Sequence, residues 1–307
     1  MDFFDKMCHN IRECIFIVIF SWRLIVSKII ISADSCCDIG KDLTEKYDIK
    51  ILPLIVTMGE NSYIDGVTAE PSDIYKFVSE TGNLPKTAAR SVADFEEYFK
   101  ELTADGSEVV HISISNKLSS TIDHAMIAAE NIPGVHIVDS LNLSTGIGLL
   151  VLLAADLRDE GKSAEEIVEI LNNTAGKVSA SFVVERLDYL YKGGRCSAVS
   201  ALGANLLKLR PCIEVQDGKM GVGKKYRGSM KLVLANYISD LLKQEGLKVS
   251  KKRVFVTHTE MSDDLDKYCV KLVKETGIFD EVIDTTAGCT ITSHCGPNTL
   301  GVLFIKE

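Results

Sequence analysis

The sequence predicts an α/β protein of two lobes. The N-terminal lobe is expected to have a mainly parallel sheet with helices on both faces, and the C-terminal lobe a mixed or antiparallel sheet with helices. Three observations lead there. Short apolar runs alternate with helix-length amphipathic stretches through the first half, a pattern that builds parallel sheets. In the second half, strand-like runs flank the tight Asp217-Gly218 turn, which calls for antiparallel neighbours. A length of 307 residues suits about two domains on a prior of roughly 150 residues each.

In chain order, Ile29 to Ala33 reads as a buried strand that ends at the polar pair Asp34-Ser35. Gly40 to Tyr47 is helical, and Ile51 to Val56 is a second apolar run. Gly59-Glu60-Asn61 supplies a hairpin turn before Ser62-Tyr63-Ile64. Pro71 to Glu80 is a helix closed by Gly82. Ser91-Val92-Ala93-Asp94 has the form of a capping box, with Phe95, Phe99 and Leu102 on one helix face behind it. Glu108 to Ile114 and Val135 to Asp139 read as strands, separated by a helix from Ser120 to Asn131. The helix Ser144 to Glu160 is apolar nearly all round, Gly161 ends it, and Ser163 with Glu166 caps the next. This helix pair is expected to be the hinge, giving lobes over residues 28–176 and 177–307. Further strands follow at Ser179 to Val184, Cys212 to Val215, Arg253 to Thr257, Glu281 to Thr285 and Leu300 to Ile305. Helices are expected at Ser197 to Leu209, Ser229 to Glu245 and Ser262 to Lys274.

Composition narrows the function. Hydrophobic residues at 46% and charged residues at 25% are ordinary for a soluble globular protein. A net charge of −9 argues against nucleic acid, whose phosphates need a basic surface. The 9 cysteines are irregularly spaced with no paired Cys-x-x-Cys motifs, so no metal site is expected. Adjacent Cys36-Cys37 cannot readily bridge, and the thiols read as reduced, which fits a cytoplasmic location. Residues 1–27 stand apart: polar to Glu13, then almost continuously apolar from Cys14 to Val26, broken by Ser21 and Arg23. That run is shorter than the roughly 20 residues that span a bilayer, and no signal-peptide pattern is clear. It reads as an added helix, an interfacial anchor, or a translated stretch without a role in the fold.

Several turns carry residues suited to holding an anion. Ser119 stands where a strand hands over to a helix, whose first free N–H groups favour negative charge, although a plain N-cap explains a serine equally well. Asp34 and Ser35 lie at another strand end, where a turn role is just as natural. Thr87 lies in the loop Pro85 to Ala89, and Arg195 follows Gly193-Gly194 with a planar fork for a carboxylate or for an acid across the lobe interface. His294 reads as the centre of a tight turn, Thr292 to Gly301, ahead of the final strand. Cys295 beside it is a poor nucleophile candidate, because chain neighbours point apart. Gly161-Lys162-Ser163 lacks the first glycine of a P-loop, Asp156 standing there, and no Gly-x-Gly-x-x-Gly follows a strand, so no nucleotide site is expected.

From Lys28 to the end, the chain resembles the DegV family of bacterial fatty-acid-binding proteins. The resemblance rests on Asp34-Ser35, Leu52-Pro53-Leu54, Asp65-Gly66, the Thr87 loop, Leu118-Ser119-Ser120-Thr121, Asp139-Ser140, Tyr189-Leu190-x-x-Gly193-Gly194-Arg195 and His294-x-Gly296-Pro297. It implies a long-chain fatty acid between the lobes, its carboxylate held by Thr87, Ser119 and His294; Arg195, Ser120, Asp34 and Ser35 are further candidates for head-group or partner contact. It also implies a lipid-binding carrier with no cofactor, not an enzyme, which presents the carboxylate to a separate ATP-dependent fatty acid kinase for phospholipid metabolism. Transient membrane contact belongs to the same expectation. The alternative is a stand-alone enzyme acting on a small carbonyl or acyl substrate through His294. The chain departs from the family pattern at Ala88-Ala89-Arg90, Ser120, Ala33 and Asn298.

Overall fold

The computed structural model describes residues 28–200 and 209–307. The first half carries strands β1 (Ile29–Asp34), β2 (Ile49–Leu52), β3 (Ile55–Met58), β4 (Asn61–Ile64), β5 (Lys86–Ala88), β6 (Glu108–Ser113) and β7 (Val135–Asp139). The second carries β8 (Val178–Val183), β9 (Arg210–Gln216), β10 (Lys219–Tyr226), β11 (Val249–His258), β12 (Glu281–Thr286) and β13 (Leu300–Lys306).

The first sheet is parallel, in the order β2-β1-β6-β7. Every residue of β1 is buried, as a parallel strand covered on both faces should be. Helices Val92–Leu102 and Thr121–Ala129 cover one face, where Phe95 and Phe99 meet Ile30 and Val109. Helices Thr145–Asp159 and Ala164–Ala175 cover the other. The second sheet runs β10-β9-β8-β13-β11-β12, antiparallel except for the parallel β11–β12 pair. Helices Met230–Leu242 and Asp263–Lys274 pack on its outer face.

Thr145–Asp159 lies between the two sheets and touches β1, β6, β8, β11 and β13. That placement explains why it is apolar all round: Ile147, Leu150, Val151 and Leu152 have no solvent-facing side to fill. One continuous core therefore runs from Ile31 through Leu150 to Leu303. Arg253 fastens the end of this helix to the second sheet, forking onto Asp156 while also donating to Glu281 and to the Tyr47 hydroxyl. The boundary proposed between residues 176 and 177 falls in the link from the helix Ala164–Ala175 to β8.

Several expectations need correction. The run Ile51 to Val56 is not one strand: Pro53, which has no N–H for a ladder, separates β2 from β3, and the two belong to different sheets. β3 pairs with β4 and β5 in a small antiparallel sheet, so Thr87 lies on a strand, opposite Val56, and not in a loop. The helix at Ser197 is described only over Ser197–Ser200, and the rest of the expected span to Leu209 falls largely outside the described residues. The Asp217-Gly218 hairpin joins β9 to β10, with φ of 50° and 78° at its two residues, as a type I′ turn requires. No described helix is long and apolar enough to cross a membrane.

Leu150 is 0% exposed between the two sheets. Leu150→Ala should lower unfolding free energy by about 2–5 kcal/mol, read as a lower urea midpoint at unchanged slope. A loss below about 1 kcal/mol would show that the helix is not held between tightly packed sheets.

Candidate functional site

The site is organised by a short helix, Cys289–Cys295, that carries His294 in its last turn. The sequence reading placed His294 in a turn, and the reason it failed is local. Cys289-Thr290-Ile291-Thr292-Ser293 is rich in β-branched and small polar residues with little helix propensity. The helix forms because its start is captured by the N-terminal half. Asp65, buried, accepts from Cys289 N at 2.8 Å, Thr290 N at 3.1 Å and Thr290 Oγ1 at 2.7 Å. Ser35 Oγ donates to the same carboxylate at 3.0 Å. Asp38 accepts from Gly288 N at 2.9 Å and Ser144 Oγ at 2.6 Å. Burial pushes the Asp38 carboxyl up to about 8, with the nearby Asp65 and Asp34 charges acting in the same direction. At the other end Gly296, at φ 70°, closes the helix, and a Cβ there would meet the Tyr189 ring at 2.7 Å.

His294 Nε2 lies 2.9 Å from Thr87 Oγ1, joining the last helix to the small sheet across the molecule. Its Nδ1 is buried without a hydrogen-bond partner and packs on Gly193, where a Cβ would lie 2.4 Å away. Burial foremost, and then the Arg195 charge, push this imidazole down to about 4, so it is neutral at pH 7. A buried lone pair without a partner is tolerated better than a buried N–H. The proton therefore belongs on Nε2, which donates to Thr87 and leaves the threonine hydroxyl free to donate onward.

Thr87 and His294 open on a cavity of about 390 Å³, together with Ser119, Ser120, His124 and Arg195. Leu54, Ile114, Leu118, Leu143, Leu190, Met220 and Ile291 form its apolar walls. The size and lining are those of a small-molecule pocket, mostly apolar with a few polar groups. The β9–β10 hairpin helps to close it: Ser115 Oγ donates to Gly218 O at 2.9 Å, and Met220 just beyond faces the cavity. A second cavity of about 400 Å³ has Lys177, Glu214, Lys224 and Asp240 in its walls, a poor lining for an apolar ligand.

Ser119 makes cap-like contacts and also lines the cavity. Its hydroxyl accepts from Thr121 N at 3.2 Å and shares a 2.8 Å bond with Thr121 Oγ1, as a cap does, while also lining the cavity. Ser120 is exposed at the same rim. Arg195 donates to Gly193 O at 2.7 Å and, among the described residues, has no acidic partner across the lobes. Asp34 and Ser35 are not brought to the cavity. Asp34 is buried and accepts from Cys36 N, Ser113 Oγ and Ile114 N, tying the ends of β1 and β6, while Ser35 serves Asp65 and Leu54 N. His124 was missed by sequence reading. It stands mid-helix without a turn signal, and only the fold shows that its Nδ1 donates to Arg90 O at 2.6 Å beside the cavity. Burial pushes the Cys295 thiol up to about 12, which removes the thiolate a nucleophile needs.

The chain is thus an α/β protein of two large sheets and one small one, with a mostly apolar cavity edged by a few polar groups. A sequence model of the DegV family matches residues 28–307, and the chain belongs to that family. A DegV domain-containing protein of Caldanaerobacter subterraneus is 34% identical over 284 residues, covering 92% of this chain and 100% of that one. A Thermotoga maritima protein named fatty acid-binding protein is 33% identical over 281 residues, covering 89% and 96%. The solved structure of a DegV family protein from Thermus thermophilus, described for its fatty acid binding, superposes with a TM-score of 0.82 at 28% identity. It covers 91% of this chain and 100% of that one.

The depressed His294 basicity has a pH consequence. The folded group binds a proton only near pH 4, the unfolded one near 6.5, so the unfolded state holds more protons in between. Stability from this histidine is complete above about pH 6.5 and is lost as pH falls through about 4. The stability difference between the parent and His294→Gln should therefore shift across that window and stay flat above it, measured by urea unfolding at a series of pH values. A constant difference from pH 4 to 7 would show that the imidazole is not buried neutral.

Proposed function

We propose that this chain binds a long-chain fatty acid in the 390 Å³ cavity, with the carboxylate at Thr87, Ser119 and His294 and the acyl chain along Leu118, Leu143, Leu190 and Ile291. The observation that carries this reading is the His294–Thr87 pair at 2.9 Å on the edge of a mostly apolar pocket. Family members described as fatty-acid-binding support it. Burying a carboxylate costs several kcal/mol unless donors replace its water. The Thr87 and Ser119 hydroxyls are such donors, and Arg195 adds a nearby positive charge. Each buried methylene contributes about 0.8 kcal/mol, so about 14 of them give about 11 kcal/mol before the entropy of binding is subtracted.

In this reading the protein is a carrier that presents the carboxylate to a separate ATP-dependent kinase, which makes the acyl-phosphate. The exposed rim of Ser120 and Arg195 is where such a partner would reach the head group. Hydrolase chemistry through His294 is disfavoured, because its Nδ1 lies against Gly193 where a triad needs an orienting acid.

Lipid extraction of the purified protein followed by mass spectrometry should yield a fatty acid in near-stoichiometric amount. Ser119→Ala and His294→Ala should each weaken its binding about ten- to a hundredfold without unfolding the chain, and Thr87→Ala should do so less. A fatty alcohol of equal length should bind the parent worse and respond less to these changes. Parental affinity in all three variants would place the carboxylate elsewhere. Separately, ATP, Mg²⁺ and fatty acid should give no acyl-phosphate until the kinase is added; product from this chain alone would end the carrier reading.

A further inference from the structure

Away from the lipid cavity, three side chains converge at the carboxyl ends of the parallel pair β11–β12. Val256 is opposite Asp284 and His258 opposite Thr286, so His258 and Asp284 project from the same face of the sheet. The helix Asp263–Lys274 packs over that face and brings Asp266 down from its first turn. His258 Nε2 lies 3.7 Å from Asp266 Oδ1 and 3.8 Å from Asp284 Oδ1. Both separations are too long for hydrogen bonds. All three ligand atoms lie within 4.8 Å of one another.

The tautomer of His258 is set by its other nitrogen. Nδ1 lies 2.6 Å from the carbonyl of Thr259, which only accepts, so Nδ1 carries a proton and Nε2 is the ring nitrogen turned toward the two carboxylates. A backbone carbonyl orienting a histidine in this way is the usual support behind a metal-ligating imidazole. Asp266 Oδ1 is buried and, among the described residues, meets no N–H or hydroxyl donor, only the Asp284 carboxyl beside it, which is costly for an anion. Two carboxylates and the imidazole Nε2 thus face one another, with no lysine or arginine in ion-pair contact with them among the described residues.

We propose that His258, Asp266 and Asp284 bind a first-row divalent cation, Mn²⁺ or Zn²⁺, that staples β11, β12 and the helix Asp263–Lys274 together. Bonds of about 2.1 Å at tetrahedral angles put ligand atoms about 3.4 Å apart. The observed separations of 3.7 and 3.8 Å need only a few tenths of an ångström of contraction. One imidazole with two carboxylates suits these ions better than Ca²⁺ or Mg²⁺, which prefer all-oxygen shells. Side-chain exposure of 41% at Asp284, against 13% at Asp266, leaves a way in for the ion and for the water that completes its shell. The site adjoins the histidine helix through Thr259, whose hydroxyl donates to Gly296 O at 2.7 Å. A bound ion would therefore stiffen the segment that ends that helix.

The test is titration of chelator-stripped full-length protein with MnCl₂ and with ZnCl₂ at pH 7.5, followed by calorimetry, by loss of the free Mn²⁺ electron-spin signal, and by melting temperature. One Mn²⁺ or Zn²⁺ should bind per chain and raise the melting temperature, while MgCl₂ at equal concentration should not. Asp284→Asn and His258→Gln, each checked by circular dichroism, should weaken binding at least tenfold. If one variant fails to fold, the other carries the comparison. Absence of saturable binding, or binding unchanged by these substitutions, would overturn the proposal.

Discussion

The arrangement of the cavity of about 390 Å³ depends on one buried carboxylate. Asp65 receives hydrogen bonds from Ser35 Oγ, Cys289 N, Thr290 N and Thr290 Oγ1. The seven residues from Cys289 to Cys295 have weak helical preference of their own, and a single turn of helix is costly to nucleate. Capturing the first free N–H groups with a charge offsets that cost. Because Asp65 belongs to the first half of the chain and Cys289 to the second, the same contact docks the two halves. Hydrogen bonds to a charged group are worth about 1.5–3 kcal/mol each, and losing a donor set at a buried anion costs more than losing one bond.

What Asp65 fixes at one end of the helix reappears as chemistry at the other. His294 is aimed at Thr87, and Gly193 lets the ring approach closely because no Cβ intervenes. The ring is then too dry to hold a proton at neutral pH, so it acts as a dipolar donor and not as a counter-ion. Under the proposed function that choice suits a carrier: a neutral donor and hydroxyls would hold a carboxylate without a buried ion pair, whose desolvation would be costly. Positive charge is left to Arg195 at the exposed edge.

Much of this was legible in the sequence, and the boundary of what was legible is physical. The capping boxes at Ser91–Asp94 and Ser163–Glu166 form as their local spacing predicts. The helix that the sequence shows apolar nearly all round, expected as part of a hinge, is buried between the two large sheets. Thr87, Ser119, Arg195 and His294 do meet at one cavity, but only resemblance to a family brought them together beforehand. The Thr87–His294 bond spans 207 residues and the Asp65–Thr290 bond 225, distances at which no local pattern speaks. His294 was misplaced in a turn because local propensity was overridden by that distant cap. Asp34 looked like a ligand at a strand end, but its neighbours Ser113 and Ile114 use up its oxygens. His124 carried no signal at all, since a histidine inside a helix reads the same whether it faces a cavity or solvent.

The central claim is that Asp65 acts on the ligand through His294. A double-mutant cycle on palmitate affinity tests it most directly, with Asp65→Asn and His294→Ala measured singly and together under conditions where all four proteins are folded. The account predicts that Asp65→Asn weakens binding about tenfold in the parent but less than about twofold when His294 is already alanine, a coupling of about 1 kcal/mol. Equal losses in both backgrounds would contradict it and make the two residues independent.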